Sequence, residues 1–374
     1  MRLYRYRPIT PSLFKELRYQ EVYLAPYTEL NDPLDLAPVV DFRAKNLDEG
    51  RFLVHFLLKR IFVSRIVADL RGGEREIDGR SNEFLALIDT LKDEKKLTTF
   101  ANAILDEMNR LYDTDTVITN DRVFHVLKRL LTERGGEFPF VADLEALREG
   151  IDATLNAFLN NSHVTCFSSR NDGYLLWSHY SGGHQGICME FDLSGQSESE
   201  CDLPLEMWNH PKFGPYERPD PITNEGYRFH LTARKVSYVD VARPVRFYDF
   251  LPVFTNERDS DLRYLSKSRW HLFADRLSET FLEKSTQWSH EAEWRIVEVR
   301  FLKDEVLENR ILRYNIDALK GIIFGCRTSE EIRRRVHAIV RLNSDSVVFY
   351  QATLRDDGGI AVAEISPEDW EDSE

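Results

Sequence analysis

Two acidic residues, Glu291 and Glu293, stand two positions apart in the stretch Ser285-Thr-Gln-Trp-Ser-His-Glu-Ala-Glu-Trp-Arg-Ile-Val-Glu-Val-Arg300. Trp288, Trp294 and Arg295 flank them. Residues 294–300 alternate as a strand does, with Trp294, Ile296, Val297 and Val299 apolar and Glu298 and Arg300 charged. Residues two apart in a strand share a face, so the pattern sets the two carboxylates side by side at a strand's leading end, walled by indole rings. Carboxylates kept partly dry beside a like charge titrate at raised or split values, which prepares an acid, a base or a group that steadies a cation. The same residues also fit a plainer arrangement, an exposed edge on which Glu293 pairs with Arg295 or His290.

A second stretch, residues 163–192, concentrates hydroxyls (Ser168, Ser169, Ser178, Tyr180), rings (Tyr174, Trp177) and His179. Stacking surfaces with a few aimed polar groups are the composition of a ligand pocket; an aromatic mini-core is the alternative. No G-x-S-x-G elbow accompanies the serines, which disfavours a Ser/His/Asp hydrolase. A third stretch, Pro26 to Asp35, carries turn chemistry in Asn31-Asp32-Pro33. It reads as a polar loop lining a pocket, with Asn31, Asp32 and Asp35 as candidates, or as an Asx-type turn that shapes the backbone.

The elements that must position these residues divide the chain. Residues 3–7 alternate as a first strand, and Pro8 and Pro11 end it; Ser12 is placed to cap a short helix through Leu17. A short strand starts at Glu21. Residues 46–160 change character: apolar residues recur at helical spacing around 53–67, 83–92, 97–111, 121–134 and 142–160, punctuated by glycine pairs. The expectation is a core domain from 1–45 and 161–305, a helical insertion over 46–160, and a small sheet-and-helix unit over 306–374. Strands are expected at 164–168, 187–191, 235–239, 293–300, 311–314, 321–325, 346–350 and 359–364, and helices at 175–180, 259–284 and 329–341. The proline-rich 195–232 reads as a long surface loop. Together these give an α+β fold around a mixed, mostly antiparallel sheet.

Composition narrows the function classes. The 374 residues carry a formal net charge of −14, which argues against nonspecific binding to a nucleic-acid backbone. Four cysteines, Cys166, Cys188, Cys201 and Cys326, form no C-x-x-C pair, so no thiolate zinc site is expected; Cys166 and Cys188 read as small buried hydrophobes. A reducing cytoplasm fits. The N-terminus lacks an apolar signal core and no run reaches about 18 apolar residues, so no membrane span is expected. There is no P-loop and no G-x-G-x-x-G. The cluster Arg333-Arg334-Arg335 lacks an aromatic platform and reads as a helix surface.

Several segments together resemble the bacterial domain-of-unknown-function family numbered 2971: Leu3-Tyr-Arg-Tyr-Arg, Tyr23-Leu-Ala-Pro with Leu30-Asn-Asp-Pro-Leu-Asp, Cys166-Phe-Ser-Ser, Leu176-Trp-Ser-His-Tyr with Gly186-Ile-Cys-Met-Glu-Phe, Val236-Ser-Tyr, and Trp288-Ser-His-Glu-Ala-Glu-Trp-Arg. A looser resemblance is to ADP-ribosyltransferases, including DNA-modifying toxins of phage defence. Those carry an Arg or His on a first strand, a Ser- or Tyr-containing second strand and a late Glu, often Glu-x-Glu. Arg5 or Arg7, Phe167-Ser168-Ser169 and Glu291-Ala-Glu293 match in that order.

The resemblance implies NAD as substrate, held through Arg5, Arg7, Asn31, Asp32, Ser168 and Ser169, with nicotinamide stacked on Trp177 or Tyr180. A carboxylate would stabilise the oxocarbenium-like ribose, a role given to Glu293, with Glu291 orienting or activating the acceptor. A small-molecule nucleotide and a protein or nucleic-acid acceptor are the implied partners, and a defence or toxin effector the implied setting. A noncatalytic ligand-sensing or protein-interaction module stays open, as does a metal-dependent nuclease using Glu291, Glu293 and Asp32.

Overall fold

The computed structural model describes residues 1–32, 35, 39–58, 93–134, 148, 162–195, 197–206, 228–241, 243–250, 279–299 and 310–366. From the N-terminus come β1 (Arg2–Arg7), α1 (Pro11–Tyr19), β2 (Glu21–Tyr23), β3 (Ala25–Pro26) and β4 (Val40–Asp41). Helices α2 (Glu94–Leu111) and α3 (Asn120–Arg134) come next, then β5 (Ser162–Ser168), α4 (Tyr174–Tyr180), β6 (Ile187–Asp192), β7 (Ser194–Gly195), β8 (Glu200–Glu206) and β9 (Arg228–Lys235). The remainder is β10 (Ser237–Val239), β11 (Val245–Arg246), β12 (Glu283–Ser285), β13 (Glu293–Val299), β14 (Ile311–Tyr314), β15 (Leu319–Phe324), α5 (Glu330–Arg341), β16 (Val348–Leu354) and β17 (Ile360–Glu364).

The chain forms two compact units. One comprises Met1–Asp35, Asn161–Val241 and Phe281–Glu374; the other comprises Leu36–Asn160 and Ala242–Thr280. The first is an α+β unit built on one large mixed sheet of order β17-β16-β15-β6-β1-β5-β13-β9-β8-β14-β2. Its pairings are antiparallel apart from β15 with β16. The tail strands β14 to β17 are part of this same sheet.

Alternation along β1 explains both faces of the sheet. Leu3 points to the cluster that Leu13 and Leu17 of α1 and Val336 and Val340 of α5 complete. Tyr6 points to the opposite cluster, with Leu176 and Trp177 of α4, Cys188 and Ile323. The cap of α1 is Thr10, whose hydroxyl lies 3.3 Å from the Leu13 amide, not Ser12. Pro11 then takes the first helical position, where its missing N–H costs nothing. Helix α5 begins behind Ser329, 3.4 Å from the Ile332 amide.

One irregularity sets up the site. Strand β1 pairs with β6 from Arg2↔Asp192 to Arg7↔Ile187, yet meets β5 only at Tyr4↔Ser168. Beyond that pair β5 turns to β3, at Ala25↔Val164 and Pro26↔His163. The two central strands therefore fork, and the gap opens from Arg5 onward.

Two sequence expectations fail here. Residues 195–232 are not all loop: β8 and β9 pair from Glu200↔Arg234 to Glu206↔Arg228. Cys201 and Leu203 alternate inward and are fully buried, a period-2 signal that the prolines around it obscure. The run expected as a helix to 284 ends by Thr280, because residues 283–285 form β12, parallel to β10. The helix expected at 83–92, that at 142–160 apart from Arg148, and residues 259–278 of that at 259–284 lie outside the described residues.

The second unit holds the helices expected at 97–111 and 121–134, observed as α2 and α3. Phe42, Leu57, Phe100, Ile104, Leu127 and Phe247 share its core.

Trp177, a sequence candidate for stacking on a ligand, is 0% exposed, packs edge-on against Tyr6 at 5.1 Å and donates its indole N–H to the Asn171 carbonyl at 2.8 Å. Replacing it by Ala should lower unfolding free energy by about 3–5 kcal/mol in urea titration, a loss that a ring merely facing a pocket would not produce.

Candidate active site

The fork between β1 and β5 holds a cavity of about 530 Å³. Its walls include the consecutive residues Tyr4 to Arg7 and Val164 to Ser168, as a gap between splayed strands requires. Tyr23, Ala25, Glu29, Leu30, Asn31 and Asp35, and helix α4 through Leu176, His179 and Tyr180, close further sides. Glu291, Glu293 and Lys284 line its acidic end.

Both glutamates are there, but not as strand neighbours. Glu291 ends a 3-10 turn, Thr286–Glu291, and Ala292 takes a left-handed φ of 45° before Glu293 opens β13. That conformation is uncommon for a residue with a Cβ, and the serines of β5 help hold it. The Ser168 hydroxyl donates to the Glu291 carbonyl at 2.6 Å, and the Ser169 amide donates to the Ala292 carbonyl at 3.0 Å. Ser168 and Ser169 thus grip the backbone that presents the acids. The exposed-edge arrangement does not occur: Glu293 does pair with Arg295, but both are buried, and the His290 ring lies 3.2 Å from the Gln287 carbonyl.

Arg295, 0% exposed, spends every donor it has. Nε and Nη2 reach Glu293 at 2.7 and 3.0 Å, Nη1 and Nη2 reach Asp35 at 2.7 and 2.6 Å, and Nη1 also reaches the Phe281 carbonyl at 2.9 Å. Those five bonds match the five N–H groups of a guanidinium. Lys284 stands beside it, with Nζ 2.6 Å from Glu291, 2.9 Å from Glu293 and 3.4 Å from Asp35. Three carboxylates against two cations leave this end of the cavity with a formal charge of −1.

The two glutamates differ in environment. Burial alone would raise Glu293, but Arg295 and then Lys284 outweigh it and hold the carboxyl down to about 2. Its oxygens already accept three charged hydrogen bonds. Glu291 accepts from Lys284 and from the Tyr180 hydroxyl, and burial pushes it up from the ordinary value against both. A carboxylate offers about four lone-pair sites, so Glu291 keeps acceptor capacity to spare. The Tyr180 oxygen in turn accepts from the Asn31 amide at 2.7 Å, and burial first and Glu291 second raise the phenol.

Two arginines of β1 also line the cavity. Arg7 forms a two-point pair with Glu16 of α1, whereas Arg5 sits 3.9 Å from the same carboxylate. Arg5 is 7% exposed, lines the cavity, and has a buried Nη1 without a hydrogen-bond partner. Burial lowers it to about 10, with Glu16 opposing.

Other candidates fall elsewhere. Asp32 lies in the turn that Asp35 closes, its carbonyl accepting the Asp35 amide at 3.0 Å. Trp294 is a core side chain, and Trp288 faces the Lys284 ammonium at 5.0 Å, so the indoles back the acidic pair without lining the cavity. Cys166 is not a core residue but a wall of the cavity, where burial, then Glu293, pushes its thiol well up. Among the described residues no group of three or more His, Cys, Asp or Glu side chains could hold a metal ion. No described helix is long and apolar enough to cross a membrane. Sequence reasoning missed Lys284 and Glu16; neither sits at a motif spacing, and each enters only through folding.

Residues 176–296 match the model of a family described as "Protein of unknown function (DUF2971)". The match takes in α4 from Leu176 onward, Lys284, both glutamates and Arg295, and leaves Arg5, Arg7, Asn31 and Asp35 outside it. No curated protein and no solved structure matches the chain.

Removing Arg295 leaves Asp35 and Glu293 buried with too little counter-charge. Arg295→Met should therefore cost about 3–5 kcal/mol of stability at neutral pH in denaturant titration. Glu293 also makes stability pH-dependent. Its folded-state value lies below its ordinary 4.5, so its contribution is full above that value and is lost as pH falls toward about 2. Glu293→Gln should flatten the decline in urea midpoint across that window; an unchanged slope would contradict the ion-pair assignment.

Proposed function

We propose that the cavity binds NAD and cleaves its nicotinamide–ribose bond, passing the ribosyl group to an acceptor as ADP-ribosyltransferases do. The observation that carries this reading is the mixed charge of one cavity: its lining includes both a carboxylate with spare acceptor capacity, Glu291, and an under-partnered guanidinium, Arg5. NAD pairs a cationic nicotinamide riboside with an anionic pyrophosphate, and the two groups suit those charges in turn.

In the reaction the C1′–N bond breaks and its electron pair leaves on neutral nicotinamide. Positive charge develops on the ribosyl carbon, and a fixed carboxylate in a water-poor wall stabilises it. The acceptor's lone pair then closes the new bond at C1′, and its proton passes to Glu291 or to solvent. Glu291 is better placed than Glu293 for this work, the reverse of the sequence expectation, because the oxygens of Glu293 are engaged by Arg295 and Lys284. Arg5, with Arg7 behind it, is assigned the pyrophosphate.

A second reading, a binding pocket without turnover, draws on that same engagement: a carboxylate that accepts three charged hydrogen bonds serves as a strut. The two readings differ in products. Incubated with NAD labelled in the nicotinamide ring, the transferase releases label. Glu291→Gln should cut release about 10²-fold or more with little change in urea midpoint, and Arg5→Ala should raise KM more than it lowers kcat. NAD-linked thermal stabilisation with no release favours the binding module; neither effect would end the NAD reading.

A further inference from the structure

The cavity's acidic end contains a residue that neither the family match nor the proposed chemistry assigns. Lys284 lies on β12, a strand of three residues, opposite Tyr238 of β10 in parallel register. Its side chain is 3% exposed. One ammonium has three N–H donors, and three carboxylates surround this one, at 2.6 Å (Glu291), 2.9 Å (Glu293) and 3.4 Å (Asp35). The indole of Trp288 covers it at 5.0 Å. We propose that Lys284 is a positioning residue, which by sharing one ammonium among Glu291, Glu293 and Asp35 keeps the Glu291 carboxylate ionised and turned into the cavity.

The supply of charges and donors decides this role. Arg295 has no donor left after Asp35, Glu293 and the Phe281 carbonyl. Without Lys284, Glu291 would keep the Tyr180 hydroxyl as its side-chain donor, in a dry wall beside the ionised Glu293. A carboxyl in that position takes up a proton. The groups that face it from the surrounding elements are Tyr180 of α4, Tyr238 of β10, Lys284 of β12 and Glu293 of β13, with Arg295 and Asp35 reaching it only through Glu293 and Lys284. Of these, only Lys284 brings a positive charge into hydrogen-bond contact with Glu291. Lys284 also ties Glu291 to the Arg295 network, so a change at either glutamate reaches the other. Burial opposes the ammonium, and Glu293, Glu291 and Asp35 more than reverse that, so the lysine stays charged wherever the carboxylates do.

This inference deepens the reading of Glu291 as the cation-facing carboxylate and rests on it for its kinetic arm, while its titration arm stands without any reaction. Carboxyl-¹³C glutamate is incorporated into the full chain, Glu291 is assigned by its loss in Glu291→Gln, and its titration is followed by NMR. In the wild type Glu291 is expected as a carboxylate at pH 7; a wild-type signal protonated there overturns the proposal without any lysine variant. In Lys284→Met the Glu291 midpoint is expected to rise by about one pH unit or more, equivalent to about a tenfold change in ionisation, and Lys284→Ala with methylammonium is expected to restore it. A folded Lys284→Met protein with an unmoved midpoint overturns the proposal, as a purely structural lysine would change stability alone. If the wild type releases nicotinamide, the acid limb of its rate profile should move up with the same variant. If it releases none, the proposed reaction fails and the NMR titration alone decides the role of Lys284.

Discussion

A single guanidinium with no unused donor holds this site together. Arg295 on β13 binds Asp35, Glu293 and the carbonyl of Phe281 at once. Those groups lie 260, 2 and 14 residues away along the chain. Buried ion pairs contribute little net stability compared with apolar packing, but breaking one is costly because a charge is left stranded. The consequence here is placement: with Arg295 in position, Asp35 and Glu293 have one arrangement that satisfies both, and Lys284 fits only into the space that arrangement leaves. Glu291 follows through Lys284, and Tyr180 and Asn31 follow through Glu291.

The sheet supplies the complementary constraint. A continuous ladder between β1 and β5 would leave no room for a ligand, since paired strands lie about 5 Å apart. The ladder stops after Tyr4↔Ser168, and side chains that normally alternate between faces then border one space. The fork explains how Arg5, on the face that carries Leu3, shares a cavity with Tyr180, whose helix packs on the other face. Of the charged groups that line it, Arg5 and Arg7 belong to β1, and Glu291 and Glu293 to β13 and its preceding turn.

Much of the architecture was legible in the sequence, and the exceptions have physical causes. Period-2 alternation located β1 and β13, and helical spacing located α2 and α3, because each of these turns one face to a core; β5 and β6 were legible as continuous apolar runs, since both of their faces are buried. Strand β8 was hidden by Pro204 and a polar setting, although Cys201 and Leu203 alternate as a half-buried strand should. Strand β12 was absorbed into a helical pattern because three residues carry no period. Trp177 and Tyr180 occur in the same short helix, yet one is core and the other reaches Glu291. Composition could not separate them, since their exposure depends on which side of α4 meets Tyr6.

By itself, then, the sequence determined the α+β class, the strand that carries Glu293 and Arg295, and the nearness of Glu291 to Glu293, all of which depend on residues close together in the chain. Tertiary structure alone decided that the acids meet through a left-handed Ala292 and not through strand pleating, that Asp35 and Lys284 complete their charge balance, and that Arg5 faces them across a fork. The reason is that pKa, hydrogen-bond saturation and cavity shape are set by neighbours in space. A carboxylate two residues from another has no determined character until folding decides which cation reaches it first.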